Sequence, residues 1–100
     1  MSYCFTATVW RHTGEAAWHF VTLPAEVADE IEFLTADTRR GFGSVKVRVR
    51  IGRTGWSTSV FPDSARRSYV LPVKATVRRA EHLEDGTTAT VQLELEDPTT

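Results

Sequence analysis

Cysteine is nearly absent from this chain: Cys4 is the only one in 100 residues. No internal disulfide can form, and nothing points to an oxidising compartment. Long apolar runs are missing too, so no segment supplies the roughly 20 residues that a membrane-spanning helix needs. Met1 to Trp10 lacks both the basic start and the apolar core of a secretory leader, and the expected location is the cytoplasm. Cys4, His12, His19 and His82 lack paired ligand spacing, so no metal and no other cofactor is expected. Repeated and low-complexity segments are not visible either. Acidic residues are scarce in the middle of the chain: between Arg39 and Arg79, eleven Lys and Arg face one carboxylate, Asp63. Both flanks are acidic, so a formal net charge of −1 hides a strong segregation. A cationic middle either attracts anions or faces the protein's own acidic strands.

What is present is enough for one domain spanning residues 1 to 100, with 41% apolar and 25% charged residues and one hydrophobic core. Tyr3, Phe5, Ala7 and Val9 alternate with Thr6, Thr8 and Trp10, the period of a half-buried strand. A turn at His12 to Gly14 and an aromatic, β-branched run from Ala17 to Leu23 complete a hairpin. Pro24 then opens a helix running to about Ala36, with Val27, Ile31 and Leu34 on one apolar face and Glu26, Asp29, Glu30 and Glu32 outside. Arg39 to Gly43 reads as a basic loop. Val45, Val47, Val49 and Ile51 alternate with Lys46, Arg48 and Arg50, so one face enters the core and the other carries three cations. Gly52 to Gly55 turns the chain into a strand at Trp56 to Phe61.

Tyr69 to Arg79 reads as a long strand, with Val73, Ala75 and Val77 facing one way and Lys74, Thr76 and Arg78 the other. Pro72 marks an edge or a bulge in it. After a turn at Glu84 to Gly86, Val91, Leu93 and Leu95 alternate with Gln92, Glu94 and Glu96 in a last strand. The expected fold is mainly β, a small six-stranded barrel with one capping helix at about residues 24–36, because closure removes exposed edges. An open antiparallel sheet packed by the helix is the alternative.

The segment Trp56-Ser57-Thr58-Ser59-Val60-Phe61-Pro62, followed by Tyr69-Val70-Leu71-Pro72-Val73-Lys74 and Arg78, resembles the signature of a bacterial family known as domain of unknown function 1905. Phe5-Thr6-Ala7, Trp18, Leu23-Pro24 and Gly43 resemble its layout elsewhere, so the likeness covers most of the chain. The resemblance implies a double-split β-barrel with a helical cap, and no activity. The family usually has Gly-Asp entering its last strand, where this chain has Gly86-Thr87. Some DNA-binding regulators share the double-split architecture, an analogy of fold alone.

Two constellations invite a site. Arg50, Trp56, Ser57, Ser59, Tyr69, Lys74 and Arg78 combine aromatic walls, hydroxyls and cations, which suits a small anionic or carbonyl-bearing ligand or a protein partner. Core packing of Trp56 and Tyr69 is the plainer explanation. Lys46, Arg48, Arg50 and Arg53 form a basic row that can grip the phosphates of a nucleic acid, or pair with Glu94 and Glu96 across strands. Ser59 with Lys74 lacks the spacing that marks a nucleophile and its base, so no catalytic residue is assigned and an enzyme ranks third. The acidic helix can also meet the cationic surface of a second copy, giving a homo-oligomer.

Overall fold

The structure is a computed structural model that describes residues 2–14, 17–36 and 43–96. The strand pattern closes, as the alternation predicts. Among the described residues there are six strands and two helices: β1 (Ser2–Arg11), β2 (His19–Thr22), α1 (Ala25–Thr35), β3 (Val45–Ile51), β4 (Thr54–Asp63), β5 (Ser68–Pro72), α2 (Ala75–Glu81) and β6 (Thr88–Leu95). The strands form a closed antiparallel barrel in the order β1-β2-β5-β4-β3-β6. The basic loop expected at Arg39 to Gly43 lies outside the described residues except for Gly43.

Inside and outside follow the two-residue period. Val45, Val47, Val49 and Ile51 are buried while Lys46, Arg48 and Arg50 are exposed. Val91 and Leu93 continue the interior on β6, and Gln92 and Glu94 the exterior. The register sets Arg48 directly between Glu94 and Ser57, and Arg50 between Gln92 and Gly55.

The two longest strands each change partner along their length. β1 pairs with β6 over Ser2 to Thr8 and with β2 over Val9 to Arg11. β4 pairs with β3 over Thr54 to Val60 and with β5 over Phe61 to Asp63. The chain thus contains the same β-β-α-β order twice, and exchanging the halves maps the ring of strands onto itself. No repeat is visible in the sequence except the dipeptides Leu23-Pro24 and Leu71-Pro72, which close the second strand of each half. Both leucines are buried in the core.

Two sequence expectations are corrected here. The segment Tyr69 to Arg79 is not one strand: β5 ends at Pro72, and Ala75–Glu81 is helical. Proline cannot donate to a further ladder bond, and the chain leaves the sheet after it. The helix ends in a Schellman motif, with His82 left-handed at φ 56, the Leu83 N–H donating to the Arg78 carbonyl at 2.9 Å, and Leu83 buried. Pro72 therefore ends a strand inside a closed barrel and does not mark an edge. On α1 the buried residues are Ala28, Ile31 and Thr35, whereas Leu34 is exposed. Thr35 enters the core because its Oγ1 donates to the Ile31 carbonyl at 2.6 Å, which satisfies its polar atom within the helix.

A carboxylate joins α2 to the barrel. Glu81 accepts from the Thr54 hydroxyl at 2.6 Å and from the Arg53 N–H at 3.3 Å. Both donors belong to the two-residue turn between β3 and β4, or border it. Gly52 opens that turn at φ 60, and a Cβ there would run into the Glu81 carboxylate. At the other helix, the Tyr3 hydroxyl is buried without a well-formed hydrogen bond. Burial first, then Glu30 as acceptor for the phenol and as a nearby negative charge, push its pKa up to about 12.

Gly52→Ala is expected to cost about 2 kcal/mol in urea unfolding, from its positive φ and the displaced Glu81, and Glu81→Ala about 1–2 kcal/mol. Because removing Glu81 vacates the space a methyl group needs, the double variant should cost clearly less than the sum. Tyr3 holds its proton more tightly folded than unfolded, so stability is unaffected below pH 10 and falls as pH rises toward 12, by roughly 2 kcal/mol at most. Tyr3→Phe should remove that alkaline loss and leave neutral-pH stability unchanged or higher, as read by denaturation at pH 7 and pH 11.

Candidate functional site in the split of the barrel

Two backbone hydrogen bonds fix how β5 faces its neighbours. Val73 N–H donates to the His19 carbonyl at 2.9 Å and Leu23 N–H to the Tyr69 carbonyl at 3.0 Å. Tyr69, Leu71 and Val73 therefore turn their backbone groups toward β2, and Ser68, Val70 and Pro72 turn theirs toward β4. The ladder with β4 runs from Ser68 and Asp63 to Val70 and Phe61. The next pair would be Pro72 with Ser59, and Pro72 has no N–H to give. The two strands part there.

The wedge that opens is a cleft of about 540 Å³. One wall is β4, with Trp56, Ser57, Thr58 and Phe61. The other is Pro72, Val73, Lys74, Ala75 and Arg78, where β5 passes into α2, and Ala17, Trp18 and His19 close one end. Arg78 is held in place by Nε, which donates to the Val73 carbonyl at 3.1 Å, and its guanidinium carries four further N–H donors. Lys74 is exposed at the mouth. Trp18 and Phe61 are large apolar residues left 56% and 43% exposed, and both line this cleft.

Trp18 is the outer member of an aromatic group on β1 and β2. It stacks on Phe20 with a 6.2 Å centroid separation and 10° between planes, and Phe20 lies 5.1 Å from Trp10. The Trp10 indole N–H donates to Thr22 at 2.9 Å, and the Arg66 guanidinium lies 3.9 Å from the Trp10 ring centroid. Asp63, the lone carboxylate of the basic segment, holds that arginine at 2.9 Å and also accepts from the Ala65 N–H. One cation of the segment is thereby committed to the fold.

Of the residues singled out from sequence, Trp56, Ser57, Lys74 and Arg78 meet at this cleft. Tyr69 is buried in the core at 3% exposure, and Ser59 lies beyond the lining. Arg50 borders a second concavity, about 740 Å³, on the outer face of β1, β6, β3 and β4, together with Arg48, Gln92, Glu94 and Cys4. Lys46, Arg48, Arg50 and Arg53 are all exposed. Their row is interrupted, since Arg48 stands opposite Glu94 and Arg50 reaches the Arg53 carbonyl at 3.4 Å. Sequence reading missed Trp18, Phe61 and Val73 as lining residues. Exposed aromatics beside a strand-ending proline were the available signal.

Among the described residues, no group of three His, Cys, Asp or Glu is placed to hold a metal ion. No helix among them is long and apolar enough to cross a membrane. Entering β6, where the resemblance leads one to expect Asp, the Thr87 hydroxyl accepts from the Glu84 N–H at 3.0 Å and so closes the turn as a carboxylate would.

No curated protein matches the chain. The family model described as domain of unknown function (DUF1905) matches residues 5–93, a span that includes most of β1 and β6 and the whole of the elements between them, with every residue of the cleft. Together with the closed six-stranded barrel, this places the chain in the family of domain of unknown function 1905.

Proposed function

We propose that this barrel is a binding module whose split cleft takes an anionic ligand with an apolar or aromatic body. The carrying observation is the convergence of Trp18, Trp56 and Phe61 with Lys74 and Arg78 on one concavity. The rings supply contact area at little entropic cost, and the two cations fix the charged end. Arg78, already oriented by its bond to Val73, suits a planar carboxylate better than a mobile lysine alone. The segments that form the two walls are also those that carry the family signature.

Nucleic-acid binding through Lys46, Arg48, Arg50 and Arg53 is the second reading, favoured by the exposure of all four side chains on one face and its loop. Glu94 beside Arg48 weakens it, because a carboxylate within the row repels phosphate.

Phenylacetate serves as a minimal aromatic carboxylate for calorimetric titration. Binding is expected to weaken by about tenfold in Trp56→Ala and in Arg78→Ala, and to depend only mildly on salt. Equal affinity of the parent and both variants would remove the cleft from consideration. A short duplex titrated in parallel should bind weakly. If it binds at micromolar concentration with steep salt dependence, lost in the Lys46, Arg48 and Arg50 triple alanine variant, the second reading takes over.

A further inference from the structure

The wall of the cleft formed by β4 is more than a set of side chains. Lys46 accepts a backbone bond from Glu96 at 3.1 Å, so Lys46 and the residues in phase with it turn toward β6, and Val45, Val47 and Val49 turn toward β4. Their partners on β4 are Val60, Thr58 and Trp56, which spend their backbone groups on β3. Ser57 and Gly55, between them, point the other way. The phase obtained from β5 agrees, since Phe61 and Asp63 face β5 and Ser57 lies in step with them. At Ser57 that side of β4 has lost β5, which has departed at Pro72, and the cleft begins.

A cleft bordered by a strand edge, with apolar rings on its walls and cations at its mouth, matches an extended chain better than a compact solute. We propose that the cleft takes an extended acidic peptide, added to the Gly55 and Ser57 edge of β4 as a short strand. Its backbone pairs with Ser57, a large apolar side chain lies against Trp18 and Trp56, and a carboxylate meets Lys74 and Arg78. A carboxylate is specified because the wall opposite β4 is cationic and belongs to the stretch whose sole acidic residue, Asp63, is already engaged by Arg66. A second copy of this chain fits less well, since among the described residues the large apolar side chains exposed outside the cleft, Phe33 and Leu34, lie on a helix and cannot pair with a strand edge.

This inference rests on the cleft being the binding site, and the experiment separates the two. A phage library of random linear peptides is panned on the full chain, and enriched sequences are synthesised with and without N-methyl groups on alternate backbone amides. Enriched peptides should combine Asp or Glu with a large apolar residue. N-methylation on the pairing edge should weaken binding by about tenfold, and hydrogen exchange at the Ser57 amide should slow on peptide binding. Ser57→Pro, which removes the N–H that faces the cleft and spares those that face β3, should weaken the peptide about tenfold more than it weakens phenylacetate, and Ser57→Ala, which keeps the N–H, should show no such difference. If Ser57→Pro does not fold, the N-methyl comparison decides alone. Undiminished binding of the methylated peptides, or no enrichment while phenylacetate binds, overturns the strand pairing and leaves the anion site standing. Failure of peptides and phenylacetate together overturns both.

Discussion

The exchange of partners along β1 and β4 is the constraint on which the rest of the molecule depends. Each of these strands belongs to two ladders, so the barrel is two half-sheets sharing their longest members. A six-stranded barrel is too narrow for many large interior side chains, and valine is accordingly the commonest residue of the core. The forks are where this economy ends. A strand that loses one neighbour before reaching its own end is left with an unpaired flank, and in each half a helix follows the Leu-Pro pair. α2 is the shorter of the two helices, and it is held over its half-sheet by one carboxylate on the β3 to β4 turn.

Charge segregation along the chain finds its explanation in the same layout. The cationic middle of the sequence supplies β3, the β4 to β5 loop and α2, and it does not form a single patch. Arg66 is spent on Trp10 and Asp63, Arg48 sits beside Glu94, and Lys74 and Arg78 stand apart at the cleft. A run of like charges in sequence has become several local arrangements in space. At the cleft two of these cations share a concavity with the exposed rings of Trp18 and Phe61.

Legibility in the sequence followed the strength of local periodicity. Val45 to Ile51 alternates without exception, and its faces, its pairing with β4 and the barrel itself were readable from it. α2 was not readable. Val73, Ala75 and Val77 carry the same two-residue spacing as a strand, the helix has seven residues with Val77 alone buried, and its left-handed terminal residue is His82 rather than glycine. A period-two pattern that short fits either structure, and the deciding factor, Pro72 opposite Ser59, depends on a long-range register. The site was half visible for the same reason. Trp56, Ser57, Lys74 and Arg78 attracted notice by residue type, yet their meeting place exists only because β5 turns away from β4. Tyr69 lies one residue out of phase and goes to the core. The shift of α1 by one position, with Thr35 in and Leu34 out, turned on a hydroxyl bonding to its own helix.

Closure of the barrel sets an order of events in folding. Its seam joins β1 to β6 through seven residue pairs, from Ser2 with Glu94 to Thr8 with Thr88, and these are among the most distant contacts in the chain. The β3 to β4 hairpin, by contrast, needs only a two-residue turn. Loop closure is costly before such distant pairs repay it, so the hairpin is the natural nucleus and the seam is sealed late. Until then the outer flanks of β1 and β6 are both bare edges, each able to add a neighbouring chain. Along the seam their outer residues are mostly uncharged, Thr6, Thr8, Thr88 and Thr90 among them, and Glu94 is the one charge in these pairs. Sealing the seam removes both edges at once.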